Sequence, residues 1–318
     1  MKKNIAAIIL VVIVLAAAIG GYFYMHSAEE EVQSTEDKVL LVSTTTSLFD
    51  TGLLDVVEDD FESRYGMDLR FIAVGTGIAI QQAERGDVDC SLVHAPSLEK
   101  EFLESGNGVN RQIIAYNYFA IVGPENDPTG IKGIEPLEAL QKIADTGATF
   151  LSRDDNSGTN TKELELWKAI GYTRDMLLNH SWYKTTGQGM GATLVMADEL
   201  GGYTLADMGT YLKYFSDGRV ELVVFVEGGK ELMNVYSAIA VNPEKHPNVN
   251  FDGAMKFIDY LCTDETQMLI GNYGKGEYGR SLFYPARSLI EEKSGKEYDW
   301  IRDLAFFEGM ECPEEYKL

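Results

Sequence analysis

Apolar runs of strand length alternate with helix-spaced apolar residues in the first part of the chain. Residues 39–43 form an apolar run, and the apolar positions of 53–65 recur at helical spacing. The run 69–74 and the helical pattern of 78–85 repeat this order, and a long extended stretch follows at 112–122. The β-α-β-α order predicts a mostly parallel sheet with flanking helices.

The same alternation starts again after residue 123. Helical patterns are predicted at 136–144, 161–170, 192–200 and 208–215, separated by extended runs at 148–152, 182–185, 203–206 and 220–226. An extended run at 235–241 and helical patterns at 251–261 and 265–270 precede a tail that is predicted to be loop-rich. The chain is therefore predicted to contain two α/β units.

Two glycine-containing breaks, Gly123-Pro124 and Gly228-Gly229, interrupt this pattern. If both are crossings between domains, residues 39–122 plus 230–318 form lobe 1, and residues 123–229 form lobe 2 as an insert. This arrangement is a two-lobed clamp. Two sequential domains are the alternative.

The amino terminus is apolar and uncharged over residues 5–25, after two lysines. That length can cross a membrane. The run stays apolar through residue 25, which is longer than the apolar region of a usual signal peptide. A membrane anchor is therefore the favoured interpretation of residues 1–25, and a cleaved signal peptide is the alternative. Residues 26–38 are acidic and small polar, which predicts a linker. Either way, the rest of the chain is expected outside the cytoplasm, tethered or secreted.

Acidic residues outnumber basic residues 50 to 27, which gives a net charge of −23. This charge argues against nucleic acid as a partner. A small anion is not excluded, because the long-range field decays within about 8–10 Å at physiological salt and local donors decide binding. Three cysteines do not make a disulfide framework, although a Cys262–Cys312 pair stays open.

Two loops in the predicted lobe 1 carry donors between a strand and a helix. Residues 43–47 are five consecutive hydroxyl residues. Unpaired N–H groups and the dipole at the following helix start favour an anion there, although a helix cap explains any single hydroxyl. The second loop, Gly75-Thr76-Gly77, lets backbone N–H groups approach a ligand and lacks the third glycine of a dinucleotide fingerprint.

Two loops in the predicted lobe 2 have the same setting. Residues 152–159 include Arg153, whose planar guanidinium suits oxyanions, and a salt bridge to a neighbouring aspartate is the alternative role. Residues 187–191 are glycine-rich and precede a helix. Ligands of open α/β sheets bind beyond the carboxyl ends of the strands. The four loops can therefore converge only in a cleft between the lobes.

Several of these motifs together resemble the tungstate-binding proteins of Tup-type ABC importers. The matching segments are 44–47, 75–77, 92–95, 152–159, 187–193, 203–211 and 278–285. The resemblance implies an α/β, two-lobed, periplasmic-binding-protein-like fold of type II, with a mostly parallel sheet in each lobe and an oxyanion in the cleft. The sequence departs from the family pattern at Asp154, where glycine commonly follows the arginine.

Carried over by motif, the resemblance implies ligand-binding roles for Thr45, Thr46, Ser47, Thr76, Gly77, Arg153, Ser157, Gly158, Thr159, Met190 and Gly191. The expected ligand is tungstate or molybdate, held without covalent bonds and without a metal or other cofactor. The expected partner is the membrane permease of an ABC importer. The receptor is expected to be a monomer.

An enzyme is not expected from this sequence. Its histidines at positions 26, 94, 180 and 246 show no metal-ligand spacing, and it contains no Gly-x-Ser-x-Gly elbow and no Walker A motif. His94 lies at the end of a predicted strand and is expected to be packed and neutral, with a position lining the cleft as the alternative. The alternatives that stay open are a receptor for molybdate, phosphate or sulfate, a membrane-anchored anion sensor, and a secreted phosphoryl-handling enzyme.

The predicted donors favour a fully deprotonated dianion over phosphate, which carries a proton near neutral pH and needs an acceptor. Asp154 and Asp155 are the only carboxylates in the four loops. A carboxylate facing a dianion in a dry cleft repels it. Both aspartates are therefore expected to point outward or to brace Arg153 from behind. If one of them faces the cleft instead, phosphate becomes the favoured ligand.

Overall fold

The computed structural model describes residues 39–307. The predicted anchor or signal peptide, the predicted linker and Cys312 lie outside the described residues, so the pairing of Cys262 with Cys312 stays a prediction. Within 39–307, none of the helices combines the length and the hydropathy needed to span a membrane.

Lobe 1 is built on strands that run mostly in one direction. β1 (Val39–Thr45) lies between β2 (Asp68–Val74) and β3 (Cys90–Val93), parallel to both. β9 (Met233–Val241) pairs antiparallel with β3 and with β4 (Gly108–Gly123), so it alone of these five strands runs against the others.

The helices of lobe 1 precede and follow the insert. They are α1 (Thr46–Phe49), α2 (Leu53–Tyr65), α3 (Thr76–Glu84), α4 (Pro96–Glu104), α10 (Phe251–Cys262), α11 (Asp264–Asn272), α12 (Lys275–Tyr278), α13 (Arg287–Glu292) and α14 (Lys296–Ala305), and the short strand β10 (Tyr284–Pro285) pairs with β4.

Lobe 2 contains β5 (Phe150–Ser152), β6 (Tyr183–Thr185), β7 (Tyr203–Asp207) and β8 (Val223–Glu227). β5 lies between β6 and β7, parallel to both, and β7 and β8 pair antiparallel with the end of β4. Its helices are α5 (Pro136–Thr146), α6 (Gly158–Ala169), α7 (Arg174–Leu178), α8 (Met190–Glu199) and α9 (Met208–Ser216).

β4 belongs to both lobes and joins them into one sheet. Its residues 108–118 pair with β9, and residues 119–123 pair with β7 and β8. The chain returns to lobe 1 between β8 and β9, where Gly228 and Gly229 both have a φ of 87°. That backbone region is open to glycine and rarely to other residues. The boundaries 39–122, 123–229 and 230–318 stay a prediction.

Each lobe has its own aromatic core. In lobe 1, Phe61 of α2 meets Phe257 and Tyr260 of α10 at centroid distances of 5.3 and 5.2 Å. In lobe 2, Trp167 of α6 packs edge-on against Phe150 of β5 at 5.1 Å. Edge-to-face pairs of this kind add to the hydrophobic gain of burying such rings. The cores therefore hold the strands and helix starts that carry the four loops.

Three helices begin earlier than the sequence pattern predicts. α3, α6 and α8 begin at Thr76, Gly158 and Met190, two or three residues before the predicted starts. The candidate donors thus lie in first helical turns. The prediction of a loop-rich tail is wrong: α12, α13 and α14 occupy it, and α14 buries Ile301 and Ala305.

Candidate functional site

A cavity of about 420 Å³ lies between the lobes, where the starts of α1, α3, α6 and α8 come together. Lobe 1 lines it with Thr46, Ser47, Asp50, Gly75 and Ile78, and lobe 2 lines it with Arg153, Asp155, Ser157, Gly189 and Met190. All four loops singled out in the sequence therefore contribute to one space.

The lobe 1 side begins at α1, directly after β1. Thr45 caps this helix, since its Oγ1 accepts a hydrogen bond from the backbone N–H of Leu48 at 3.3 Å. Thr46 and Ser47 follow in the first turn, where helix N–H groups lack partners within the helix. This side therefore presents hydroxyl and backbone donors to the cavity.

The start of α3 adds a second lobe 1 segment. Gly75 lines the cavity, and Thr76 is buried directly behind it. Thr76 Oγ1 has no hydrogen-bond partner among residues 39–307. A buried hydroxyl without a partner costs free energy, so this atom is available to a ligand or a water molecule.

The lobe 2 side is formed mainly by the start of α6. Ser157 caps this helix, with Oγ accepting from the N–H of Asn160 at 3.3 Å. Gly189 is the corresponding cap residue of α8, followed by Met190, and both line the cavity. Two helix starts of lobe 2 therefore face the helix starts of lobe 1.

Arg153 is the cation of this cavity, and its side chain is only 5% exposed. Its Nε and Nη2 donate to Asp155 Oδ2 at 3.0 and 2.6 Å, and its Nη1 donates to Thr159 Oγ1 at 3.4 Å. The other carboxylate oxygen of Asp155 accepts from the N–H of Ser157 at 3.1 Å. These bonds use three of the five guanidinium hydrogens and leave two for a ligand.

Comparison with known proteins agrees with this architecture. The sequence profile of the PBP superfamily domain matches residues 32–265. The tungstate-binding protein TupA of Peptoclostridium acidaminophilum is 43% identical over 245 residues, 76% of this chain and 84% of that protein. A solved TupA structure from Desulfovibrio alaskensis G20 is 46% identical, with a TM-score of 0.71, and the match covers 78% of this chain and 98% of that chain.

A second solved structure, the tungstate ABC transporter from Geobacter sulfurreducens, is 47% identical with a TM-score of 0.67, over 74% of this chain and 99% of that chain. The chain belongs to the TupA family of the PBP superfamily. The predicted family and the predicted two-lobed α/β fold are thereby confirmed.

Asp154 is the position at which this sequence departs from the TupA family pattern noted above. Its φ is 45°, in the left-handed region that glycine adopts at little cost. Its carboxylate pairs with Arg174, at 2.8 Å for both Nε and Nη2, and does not line the cavity. The predicted outward orientation of Asp154 is confirmed. Asp155 braces Arg153 as predicted, and it also lines the cavity.

Five of the predicted site residues line the cavity: Thr46, Ser47, Arg153, Ser157 and Met190. The others do not line this cavity: Thr45, Thr76 and Thr159, which are buried, and Gly77, Gly158 and Gly191, which are half-buried. Gly191 faces the ring of Tyr214, where a Cβ would lie 2.0 Å from the hydroxyl oxygen. The ligand-binding roles of the whole set stay a prediction.

Asp50 is a cavity residue that sequence reasoning missed. It follows α1 and keeps part of its surface exposed, and desolvation of its carboxylate raises its pKa, opposed by the charges of Lys213 and Arg153. Asp207, the cap residue of α9, is buried nearby, and burial raises its pKa as well. Gly75 and Gly189 belong to the four donor loops identified in the sequence, but no pattern in the sequence indicated a role for Asp50.

His94 lies beneath the lobe 1 donors. Its Nε2 is 3.1 Å from Thr45 Oγ1 and 3.4 Å from Ser47 Oγ, and its Nδ1 is 3.0 Å from Asn234 Oδ1. Burial lowers its pKa to about 4, so the ring is neutral near pH 7. This geometry agrees with the packed, neutral histidine predicted from the sequence. Residues 39–307 contain no cluster of three acidic, histidine or cysteine ligands that could hold a metal.

Proposed function

We propose that this protein is an extracytoplasmic receptor that captures tungstate for an ABC importer. The observation that carries the proposal is the cavity between the lobes, where Arg153 and the hydroxyl residues Thr46, Ser47 and Ser157 line one space. The names of its relatives support the choice of ligand, because TupA proteins are tungstate-binding proteins.

The donor set suits a dianion that carries no proton. Arg153 and the helix-start N–H groups can only donate, and each hydroxyl can donate one hydrogen. Asp155 has both carboxylate oxygens engaged, one by Arg153 and one by the N–H of Ser157. Binding is non-covalent and needs no resident cofactor and no catalytic group. Closure of the lobes around the ligand completes the cage and presents a closed receptor to the membrane permease.

Calorimetric titration of the full chain with tungstate, molybdate, sulfate and phosphate tests the proposal. We expect one ligand per chain, tight binding of tungstate or of both tungstate and molybdate, and much weaker binding of sulfate and phosphate. No heat with any of the four anions, from protein that unfolds cooperatively, would contradict the proposal.

Hydrogen phosphate is a second candidate ligand, and Asp50 is the observation that favours it. This carboxylate lines the cavity, and its oxygens can accept a hydrogen bond from a protonated oxyanion. Competition decides between the two ligands. Phosphate that displaces bound tungstate at comparable concentrations would replace tungstate as the assigned ligand.

A further inference from the structure

His94 separates donors that belong to different lobes. It follows β3 in lobe 1, and its Nε2 edge contacts the hydroxyls of Thr45 and Ser47. Its Cε1 edge faces Gly158, the first residue of α6 in lobe 2. One imidazole ring therefore touches the donor segments on both sides of the cleft.

The contact with Gly158 leaves no room for a side chain. A Cβ at that position would lie 2.4 Å from His94 Cε1 and 3.1 Å from both ring nitrogens. Nonbonded heavy atoms do not approach that closely without displacement of the neighbour, because dispersion contacts are optimal near 3.5–4.0 Å. Glycine is thus what allows the start of α6 to rest against the imidazole.

The ring itself cannot move aside easily. Its Nδ1 bonds Asn234 Oδ1 at 3.0 Å, and Asn234 Nδ2 donates to Asn117 Oδ1 at 3.1 Å and to the Tyr236 hydroxyl at 2.9 Å. Because Asn234 Oδ1 can only accept, Nδ1 carries the ring hydrogen, and Nε2 accepts from a hydroxyl. The ring also packs on Tyr236 at a centroid distance of 4.9 Å.

This contact forms the wall behind the ligand space. His94 and Gly158 both line a second cavity of about 340 Å³, which shares no lining residue with the candidate ligand cavity. Their neighbours Ser47 and Ser157 line the candidate ligand cavity. The thickness of one imidazole ring thus sets how closely Ser47 and Ser157 can approach each other.

We propose that His94 is a positioning residue that fixes the separation of the donors of the two lobes, and so the size of the oxyanion that the closed site accepts. The proposal rests on the proposed function, since it assigns His94 a role in the same site. His94 acts through Thr45, Ser47 and Gly158 and does not itself touch the ligand.

Gly158→Ala tests the proposal, measured as tungstate affinity by calorimetry on the full chain. The φ of Gly158 lies outside the left-handed region, and alanine favours a helix, so the added methyl group should strain only the contact with His94. We expect an affinity loss of about tenfold or more, since the methyl group cannot lie 2.4 Å from His94 Cε1 without displacing the donor segments. Ligand-free unfolding of the variant and of the wild type separates a loss of affinity from a loss of folding.

The His94→Asn background makes the test specific, because asparagine is shorter and leaves space for the methyl group. In the His94→Asn background, Gly158→Ala should reduce tungstate affinity by less than about threefold, whatever loss of affinity His94→Asn causes by itself. Gly209→Ala is the matched control. A Cβ at Gly209 would lie 2.5 Å from Thr51 Cγ2, which is a different contact between the lobes. Gly209→Ala should therefore change tungstate affinity by the same factor in the wild-type and His94→Asn backgrounds. Gly276→Ala, with no atom within 4 Å of the added Cβ, should bind like the wild type.

The outcomes separate the two hypotheses. Wild-type affinity in Gly158→Ala, or an equal cost of that substitution in both backgrounds, overturns the role of His94 while leaving tungstate binding intact. A wild-type chain that binds none of the four oxyanions overturns the proposed function, and the role of His94 falls with it.

Discussion

The guanidinium of Arg153 is held along one edge by Asp155 and is open to the cavity on the other. This brace fixes the plane of the cation before a ligand arrives, so little side-chain entropy remains to be lost on binding. A lysine at the same place would keep the positive charge but would lack the planar guanidinium, whose two remaining N–H groups are fixed in direction.

Arg153→Ala should therefore weaken tungstate binding by about 10- to 100-fold, since a hydrogen bond to a charged group contributes roughly 1.5–3 kcal/mol. Arg153→Lys should lose less, because the positive charge is kept. Calorimetry gives both affinities, and thermal unfolding without ligand serves as the folding control. An alanine variant with unchanged affinity would exclude Arg153 from the site.

Asp50 and Asp155 are both cavity carboxylates, but only Asp155 has its oxygens engaged by Arg153 and by the N–H of Ser157. Asp50→Asn should therefore raise tungstate affinity a few-fold by removing repulsion, with a smaller gain at high salt. Asp155→Asn should gain nothing, because it loosens Arg153. Titrations at two ionic strengths check this, and equal gains in both variants would contradict the different roles.

Glu163 of α6 is fully buried and accepts hydrogen bonds from Ser152, Tyr183 and Trp167. Burial raises its pKa from 4.5 to about 7, against the effect of those hydrogen bonds. The folded chain thus binds this proton more tightly than the unfolded chain. The stability that this group contributes is complete below pH 4.5 and is lost as the pH rises through 7.

Glu163→Gln removes this proton equilibrium while keeping an oxygen acceptor. The free energy of unfolding of the wild type, minus that of the variant, should therefore fall by up to about 3 kcal/mol between pH 4.5 and pH 7. Denaturant unfolding at a series of pH values measures it. A difference that is constant across this range would show that Glu163 titrates normally.

The loop between β5 and α6 carries Arg153 and reaches the helix through left-handed residues. Asp154 and Asn156 have φ values of 45° and 57°, and Asp154 also pairs with Arg174. Aspartate and asparagine tolerate this region better than other side chains. The loop therefore keeps its path without the glycine that the family commonly has after the arginine.

Asp154→Ala should destabilise the protein by about 1–2 kcal/mol, because alanine keeps the unfavourable φ and loses the ion pair. Asp154→Gly should cost less than about 1 kcal/mol, since glycine relieves the backbone while losing the same partly exposed pair. Chemical denaturation of the two variants gives the comparison. Equal stabilities would mean that the backbone conformation carries no cost here.

The spacing of hydrophobic residues could locate the strands and helices that border the four loops, because each of these elements packs an apolar face against a core. Arg153 and the hydroxyls of 43–47 could be found for that reason. Asp50 could not, since its place at the cavity depends on how α1 turns after β1. α14 was missed because its buried face is confined to Ile301 and Ala305 within a charged segment.

Within residues 39–307 the chain passes between the two lobes in β4 and in the segment between β8 and β9, while their donors meet across the cleft. Gly228 and Gly229 lie in that second connection with a φ of 87°, a conformation that is easily varied in glycine. Two narrow connections and separate cores are the arrangement in which lobes rotate about hinges. A ligand that contacts both lobes favours the closed arrangement by its extra contacts there.

Saturating tungstate should therefore reduce the radius of gyration of the full chain, measured by small-angle X-ray scattering. The reason is that Arg153 and Ser157 of lobe 2 and Ser47 of lobe 1 can hold one ligand together only when the cleft is narrow. Arg153→Ala, at the same tungstate concentration, should stay at the ligand-free radius and controls for effects of the salt itself. If the wild type binds tungstate in calorimetry and its radius does not change, the ligand is held by a site that is already closed, and the hinge at Gly228-Gly229 is not used.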